Sequence, residues 1–129
     1  MKLIIPMRCA SKRSGSRVAR HKDSPIYKPG DYKALQEQFA WLAIQQLGGQ
    51  PDLLTGPLGF YATLYFSDRR RRDSDNLEGF IWDSCNGLLW QDDSQVYLWG
   101  GRKILGAGED RVELDVWRYR GINGGGSCA

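Results

Sequence analysis

The chain has 129 residues, 41% hydrophobic and 12% aromatic, the composition of one globular domain that buries about two-thirds of its unfolded surface and not of a disordered chain. Its longest apolar run, LIIPM, falls far short of the roughly 20 residues that span a bilayer, and a basic stretch follows where a secretory leader would carry its cleavage site. The formal charge of +3 is uneven, because residues 1–33 hold nine Lys/Arg against two acids and the remainder nine against thirteen, and a basic arm on a mildly acidic body points to a polyanionic partner, nucleic acid first.

In chain order, KLIIPM (2–7) reads as a short buried strand. The next stretch, to about residue 30, is rich in Ser, Gly, Pro and basic side chains and reads as a loop of a length uncommon in compact domains unless it is functional; a merely solvated loop is the plainer alternative. A helix is expected from Asp31, with Leu35, Phe39, Leu42 and Leu47 at helical spacing, until Gly48-Gly49 ends it. GFYATLYFS (59–67) alternates like a strand, with Phe60, Ala62, Leu64 and Phe66 on one face. After DRRRRD a second helix is expected from Asp75 to about residue 89, facing the core with Leu77, Phe80, Ile81, Cys85 and Leu88. QDDS reads as a turn, QVYLWGG as a strand, KILGAGEDR as a return loop and RVELDVWRY as a last strand. Residues 121–129 are a Gly-rich tail, flexible by composition. The order β-α-β-α-β-β predicts an α+β domain over 1–120, its helices packed on one small mixed sheet. Cys9, Cys85 and Cys128 have neither metal-site nor disulfide-framework spacing, so a reduced, cytoplasmic setting is expected.

Asp73, Asp75, Asp92 and Asp93 admit two readings. Asp75-Asn76-Leu77-Glu78 fits a capping box, and Asp92-Asp93-Ser94 fits a polar turn. Phosphodiester hydrolysis offers the other reading, because it needs a hard cation, and magnesium is held by one or two carboxylates with water completing its shell. Asp-x-Asp beside four arginines would then be half of a metal site next to a phosphate clamp formed by Arg69, Arg70, Arg71 and Arg72. Arg8, Lys12, Arg13, Arg17, Arg20, Lys22 and Lys28 of the long loop would track a DNA backbone. No base-reading helix is apparent, which suits recognition of shape over sequence. His21, the one histidine, reads as an ordinary loop residue, and the tryptophans read as core or interface.

The stretch RRRRDSDNL, followed by DDSQV one helix later, resembles the signature of the RusA-type Holliday junction resolvases. SKRSGSR, Tyr27 and Tyr32-Lys33 are similar, more loosely, to the basic segment and tyrosines of that family. The resemblance implies a magnesium-dependent endodeoxyribonuclease, with manganese as an alternative ion, that nicks four-way DNA junctions symmetrically. It also implies catalytic, metal-binding aspartates at Asp73, Asp75 and Asp93, support from Asn76 and Asp92, a homodimer, and a phage or prophage source. One position departs from the pattern: the family's lysine four residues after the second aspartate is Gly79 here, leaving Lys12, Arg13, Arg72 or Lys103 to replace it. A DNA-junction binding protein without efficient chemistry is the alternative.

Distance adds a constraint of its own. A helix over 75–89 is on the order of 20 Å long, whereas the oxygen ligands of one magnesium lie about 2.0–2.1 Å from it. Asp93 at one end therefore cannot easily join Asp73 and Asp75 at the other within one subunit, unless the helix is shorter or bent; the alternative is that only Asp73 and Asp75 bind metal. Two such helices packed antiparallel about a twofold axis would join them and create two shared sites. Gly79, Trp82 and Asn86 form the second face that this packing would use.

Overall fold

A computed structural model describes residues 1–12 and 29–121. Arg13, Arg17, Arg20 and Lys22, together with His21, Tyr27 and residues 122–129, lie outside these. The described elements are β1 (Lys2–Ile5), α1 (Pro29–Leu47), β2 (Leu58–Tyr65), α2 (Ser74–Cys85), β3 (Val96–Ile104) and β4 (Arg111–Arg118). This is the α+β arrangement expected from the sequence, in the expected order.

The four strands form one mixed sheet in the order β1-β4-β2-β3. β4 runs antiparallel to both β1 and β2, and β2 runs parallel to β3. A parallel pair needs a crossover, and α2 is that crossover. It starts just past the C-terminal end of β2 and returns the chain to the start of β3.

One sheet face is apolar and covered. Leu3 and Ile5 of β1, Phe60, Ala62 and Leu64 of β2, and Val112, Leu114 and Val116 of β4 are all buried there. Phe39 and Ala43 of α1 and Leu77, Phe80, Ile81 and Cys85 of α2 close over them. Aromatic rings bind the layers: Phe39 meets Phe80 edge-on at 5.9 Å, and Trp90 stacks on Phe60 at 5.6 Å. Such pairs add about 0.5–1.5 kcal/mol beyond the area they bury. Of the five tryptophans, Trp90 is core and Trp82 half-buried, while Trp41, Trp99 and Trp117 are exposed.

Several boundaries differ from the sequence reading. α1 begins at Pro29 and not Asp31, since proline's fixed φ suits a first helical turn and its missing N–H costs nothing there. α2 ends at Cys85, four residues early. Gly87 has φ +80, and the Cys85 carbonyl accepts from both Leu88 and Leu89 N–H groups, so the chain turns sharply where a longer helix was expected. β3 extends to Ile104, paired with Tyr65, and takes in the first residues expected to form a loop.

The two glycines of β3 have unlike surroundings. A Cβ on Gly101 would stand 2.9 Å from the Ala62 carbonyl oxygen, which belongs to fixed backbone, whereas on Gly100 it would meet the Tyr61 ring at 3.3 Å. Gly101→Ala is predicted to destabilise the fold by about 1–3 kcal/mol, as overpacking does. Gly100→Ala should stay below about 1 kcal/mol, because the ring can shift. Denaturant titration of the two variants measures the difference.

Candidate active site

The site begins in the connection between β2 and α2. Asp68, one residue beyond Ser67, accepts two hydrogen bonds from Arg72, at 2.7 Å and 3.0 Å. Such a bidentate pair fixes orientation as well as distance. Arg72 also lies over the Phe66 ring at 4.2 Å. Arg8 reaches the same place, 3.2 Å from Asp68 and 3.1 Å from Asp110. Asp110 in turn accepts from the Ser67 N–H at 2.8 Å. Backbone bonds complete the clamp: Phe66 N–H to the Ile104 carbonyl, Gly106 N–H to the Asp68 carbonyl, and Ala107 N–H to the Phe66 carbonyl.

The four arginines therefore do not act alike. Arg72 is turned inward, half-buried and bonded to Asp68. Arg69, Arg70 and Arg71 are exposed. The Arg69 guanidinium is packed against Gly106, where a Cβ would come within 2.9 Å of it.

This clamp delivers Asp73 and Asp75 to the start of α2. Asp73 holds the N-cap position in extended backbone without a capping bond from its side chain. Asp75, expected as the cap, is instead in the first turn, with Oδ1 accepting from the Asn76 N–H at 2.9 Å. Glu78 does not reach back as a capping box requires, because its carboxylate accepts from the Trp82 indole N–H at 3.1 Å. Asn76 Nδ2 lies 3.5 Å from Asp73 Oδ2 and links the two ends of this turn. Both aspartates are exposed at a helix N-terminus, whose dipole favours negative charge.

Asp92 and Asp93 lie beyond the far end of the helix. Asp92 caps the short 3-10 turn Asp93–Gln95 in a complete capping box, accepting from the Ser94 N–H while the Gln95 side chain accepts from the Asp92 N–H. The bonds from Ser94 hold its carboxyl below the ordinary value. Asp93 Oδ1 accepts from the indole N–H of buried Trp90 at 2.8 Å, which ties it to the core. Among the described residues, no three acidic, histidine or cysteine side chains converge in a way that would hold a metal. α2 has 12 residues, about 18 Å at 1.5 Å per residue, so the helix separates the two carboxylate pairs even at its shorter length.

Among the described residues, Lys103 and Lys12 both approach α2. The Lys103 ammonium donates to the Arg72 carbonyl, next to Asp73. Lys12 crosses α2 itself: its N–H donates to the Asn76 carbonyl at 2.9 Å, and its stem lies over Gly79, where a Cβ would stand 2.7 Å from Lys12 Cδ. The glycine thus makes room for the arm. The Lys12 ammonium sits 3.4 Å from Asp83, which also accepts from the Tyr32 hydroxyl at 2.9 Å. A cleft of about 80 Å³ opens between Gly100–Lys103 of β3 and Ser74, Leu77 and Glu78 of α2. Sequence reasoning missed Asp68 and Asp110 and read Arg8 only as a DNA-contacting residue; the one local signal was Asp68 four residues before Arg72, a spacing usually taken for a helical pair.

With this geometry in view, the family model of endodeoxyribonuclease RusA matches residues 8–116. No curated protein matches the sequence.

The clamp makes a pH prediction. The Arg72 hydrogen bonds hold the Asp68 carboxyl well below the usual carboxylate range. A carboxyl lowered on folding adds stability above its unfolded pKa of about 3.9, which is lost as pH falls from there through the folded value. Asp68→Asn is therefore predicted to lower stability at pH 7 and to flatten the loss of stability below about pH 4. Denaturant midpoints of both proteins between neutral and acid pH measure this.

Proposed function

Because this chain belongs to the RusA endodeoxyribonuclease family, a family of Holliday junction nucleases, we propose that it resolves four-way DNA junctions by paired, symmetric nicks with magnesium at shared carboxylate sites. The observation that carries this reading is the pair Asp73 and Asp75, exposed at one helix N-terminus, with the exposed Arg69, Arg70 and Arg71 just upstream of Arg72. Carboxylate oxygens there are hard donors of the kind magnesium accepts, with water filling the rest of its shell. The ion would be held by Asp73 and Asp75 of one subunit and Asp93 of a second; manganese suits the same donors. When bound, it polarises the phosphoryl oxygen and lowers the pKa of an attacking water.

The protein's own residues have separate tasks in this reading. Arg69, Arg70 and Arg71 hold phosphate and orient the strand, while Arg72 keeps their loop in place. Asn76 steadies Asp73. Asp92 fixes the turn that carries Asp93, and Trp90 fixes its carboxylate. Lys12 belongs to the DNA-contacting surface, as would Arg13, Arg17, Arg20 and Lys22. Of the four cations named to replace a lysine at Gly79, Arg13 lies outside the described residues, Arg72 is committed to Asp68, and the Lys12 ammonium faces Asp83, two turns beyond Asp75. Lys103, bonded to the carbonyl beside Asp73, is the candidate that the geometry favours.

The test is cleavage of a labelled synthetic four-way junction in magnesium. The wild type is expected to nick opposed strands, and Asp75→Asn to bind without nicking. Lys103→Ala should lose on the order of 100-fold in rate, the cost of removing one electrostatic stabiliser, and Lys12→Ala should lose less. Junction binding without cleavage by the wild type would favour a non-catalytic binding protein. Salt-sensitive binding indifferent to branching would mean that the aspartates only cap and turn.

A further inference from the structure

Arg69, Arg70 and Arg71 are alike in chemistry and in exposure, but they are held differently. Among the described residues, no hydrogen bond, ion pair or ring contact holds the side chain of Arg70 or Arg71. The Arg69 guanidinium lies on the turn between β3 and β4. A Cβ built on Gly106 would stand 2.9 Å from each of its Cζ, Nε and Nη2 atoms. Three atoms of a planar group at one distance from a single point mean that the plane faces that point. The guanidinium is therefore packed by its face against Gly106, and its N–H donors, which lie in the plane, point along the surface and not into it.

We propose that Arg69 is the dominant phosphate contact of the arginine run, and that Gly106 is the positioning residue that makes it so. The inference rests on the DNA-binding reading above and ranks residues within it. Each arginine that meets a phosphate releases the same counterions, so charge alone would make the three equal. Order separates them. Arg70 and Arg71 lose their side-chain freedom when DNA arrives, whereas much of that of Arg69 is already lost in the fold. Its planar fork is also presented edge-on, the way in which two parallel N–H bonds reach one phosphate.

The surroundings keep both the place and the donors open for this use. Gly106 has φ +65, a backbone that favours glycine, and any side chain there would take the room that the guanidinium fills. The turn cannot drift from the arginine, because the Gly106 N–H donates to the Asp68 carbonyl at 2.8 Å and the Ala107 N–H to the Phe66 carbonyl at 2.9 Å. The carboxylates of this turn and of the clamp are engaged elsewhere: Asp68 by Arg72 and Arg8, Asp110 by Arg8, and Glu109 by Arg111. Arg69 is thus left to an anion from outside the chain.

The test measures affinity in the full chain without magnesium, so that no cleavage intervenes, by fluorescence anisotropy of a labelled four-way junction and of a linear duplex. Arg69→Ala is expected to weaken junction binding about three- to tenfold more than Arg70→Ala or Arg71→Ala, the worth of one side chain already immobilised. Gly106→Asn keeps every charge, suits a positive φ and displaces the guanidinium; it should weaken binding about three- to tenfold. In an Arg69→Ala background the same change should do almost nothing, since the group that it displaces is gone. A purely structural role for Gly106 would weaken binding equally in both backgrounds. That result, or equal losses from the three alanine variants, overturns the proposal while leaving the DNA-binding reading standing. If Gly106→Asn does not fold, as denaturant titration would show, lysine variants decide, because lysine keeps the charge but not the flat fork. A loss at Arg69→Lys no larger than at Arg70→Lys or Arg71→Lys then overturns the proposal, and a larger one supports it. A wild type that binds neither DNA overturns both readings.

Discussion

The bidentate ion pair between Arg72 and Asp68 is the constraint on which the site depends. An isolated ion pair near the surface contributes little on its own, but this one is part of a network. Arg8 bridges Asp68 and Asp110, Asp110 holds the Ser67 N–H, and Arg72 covers Phe66. The network joins the chain just after β1, the end of β2 and the turn before β4. Its effect is positional: it fixes the residues that lead into α2, and so the direction in which Asp73 and Asp75 leave the sheet. It also divides the arginine run into one structural residue and three that face solvent.

The second constraint is the rigidity of α2. Its buried stripe of Leu77, Phe80, Ile81 and Cys85 seats it across the sheet, and the turn at Gly87 returns the chain to the start of β3. Asp93 is then tied to the core through Trp90, itself stacked on Phe60. Both carboxylate groups are held by packed elements, at opposite ends of one helix. Neither can drift toward the other without unmaking the core, so a site that needs all three aspartates needs two chains.

Much of this was legible in the sequence because it is local. The period of Leu77, Phe80, Ile81 and Cys85 gave the inward face of α2, and alternation in β2 gave the covered face of the sheet. The capping box failed because Asp73 and Asp75 both suit a helix start, and Glu78 had a competing donor in Trp82 one turn on. Four identical arginines do not show which one turns inward; Arg72 does so onto Asp68, which Arg8 also engages from a distant part of the chain. Gly79 was legible as a departure from the family pattern and as a place of close approach. The neighbour beside it within the chain is Lys12, a contact between segments that no periodicity encodes.

Mixing Asp75→Asn subunits with Asp93→Asn subunits tests the central claim most directly. Each variant alone lacks a ligand at both sites of its dimer. If the sites are shared, a mixed dimer has one intact site and one doubly altered site, and random exchange should restore about one quarter of the wild-type sites, read as nicking of single strands at a synthetic four-way junction. A mixture no more active than either parent, with subunit exchange demonstrated, would contradict the account.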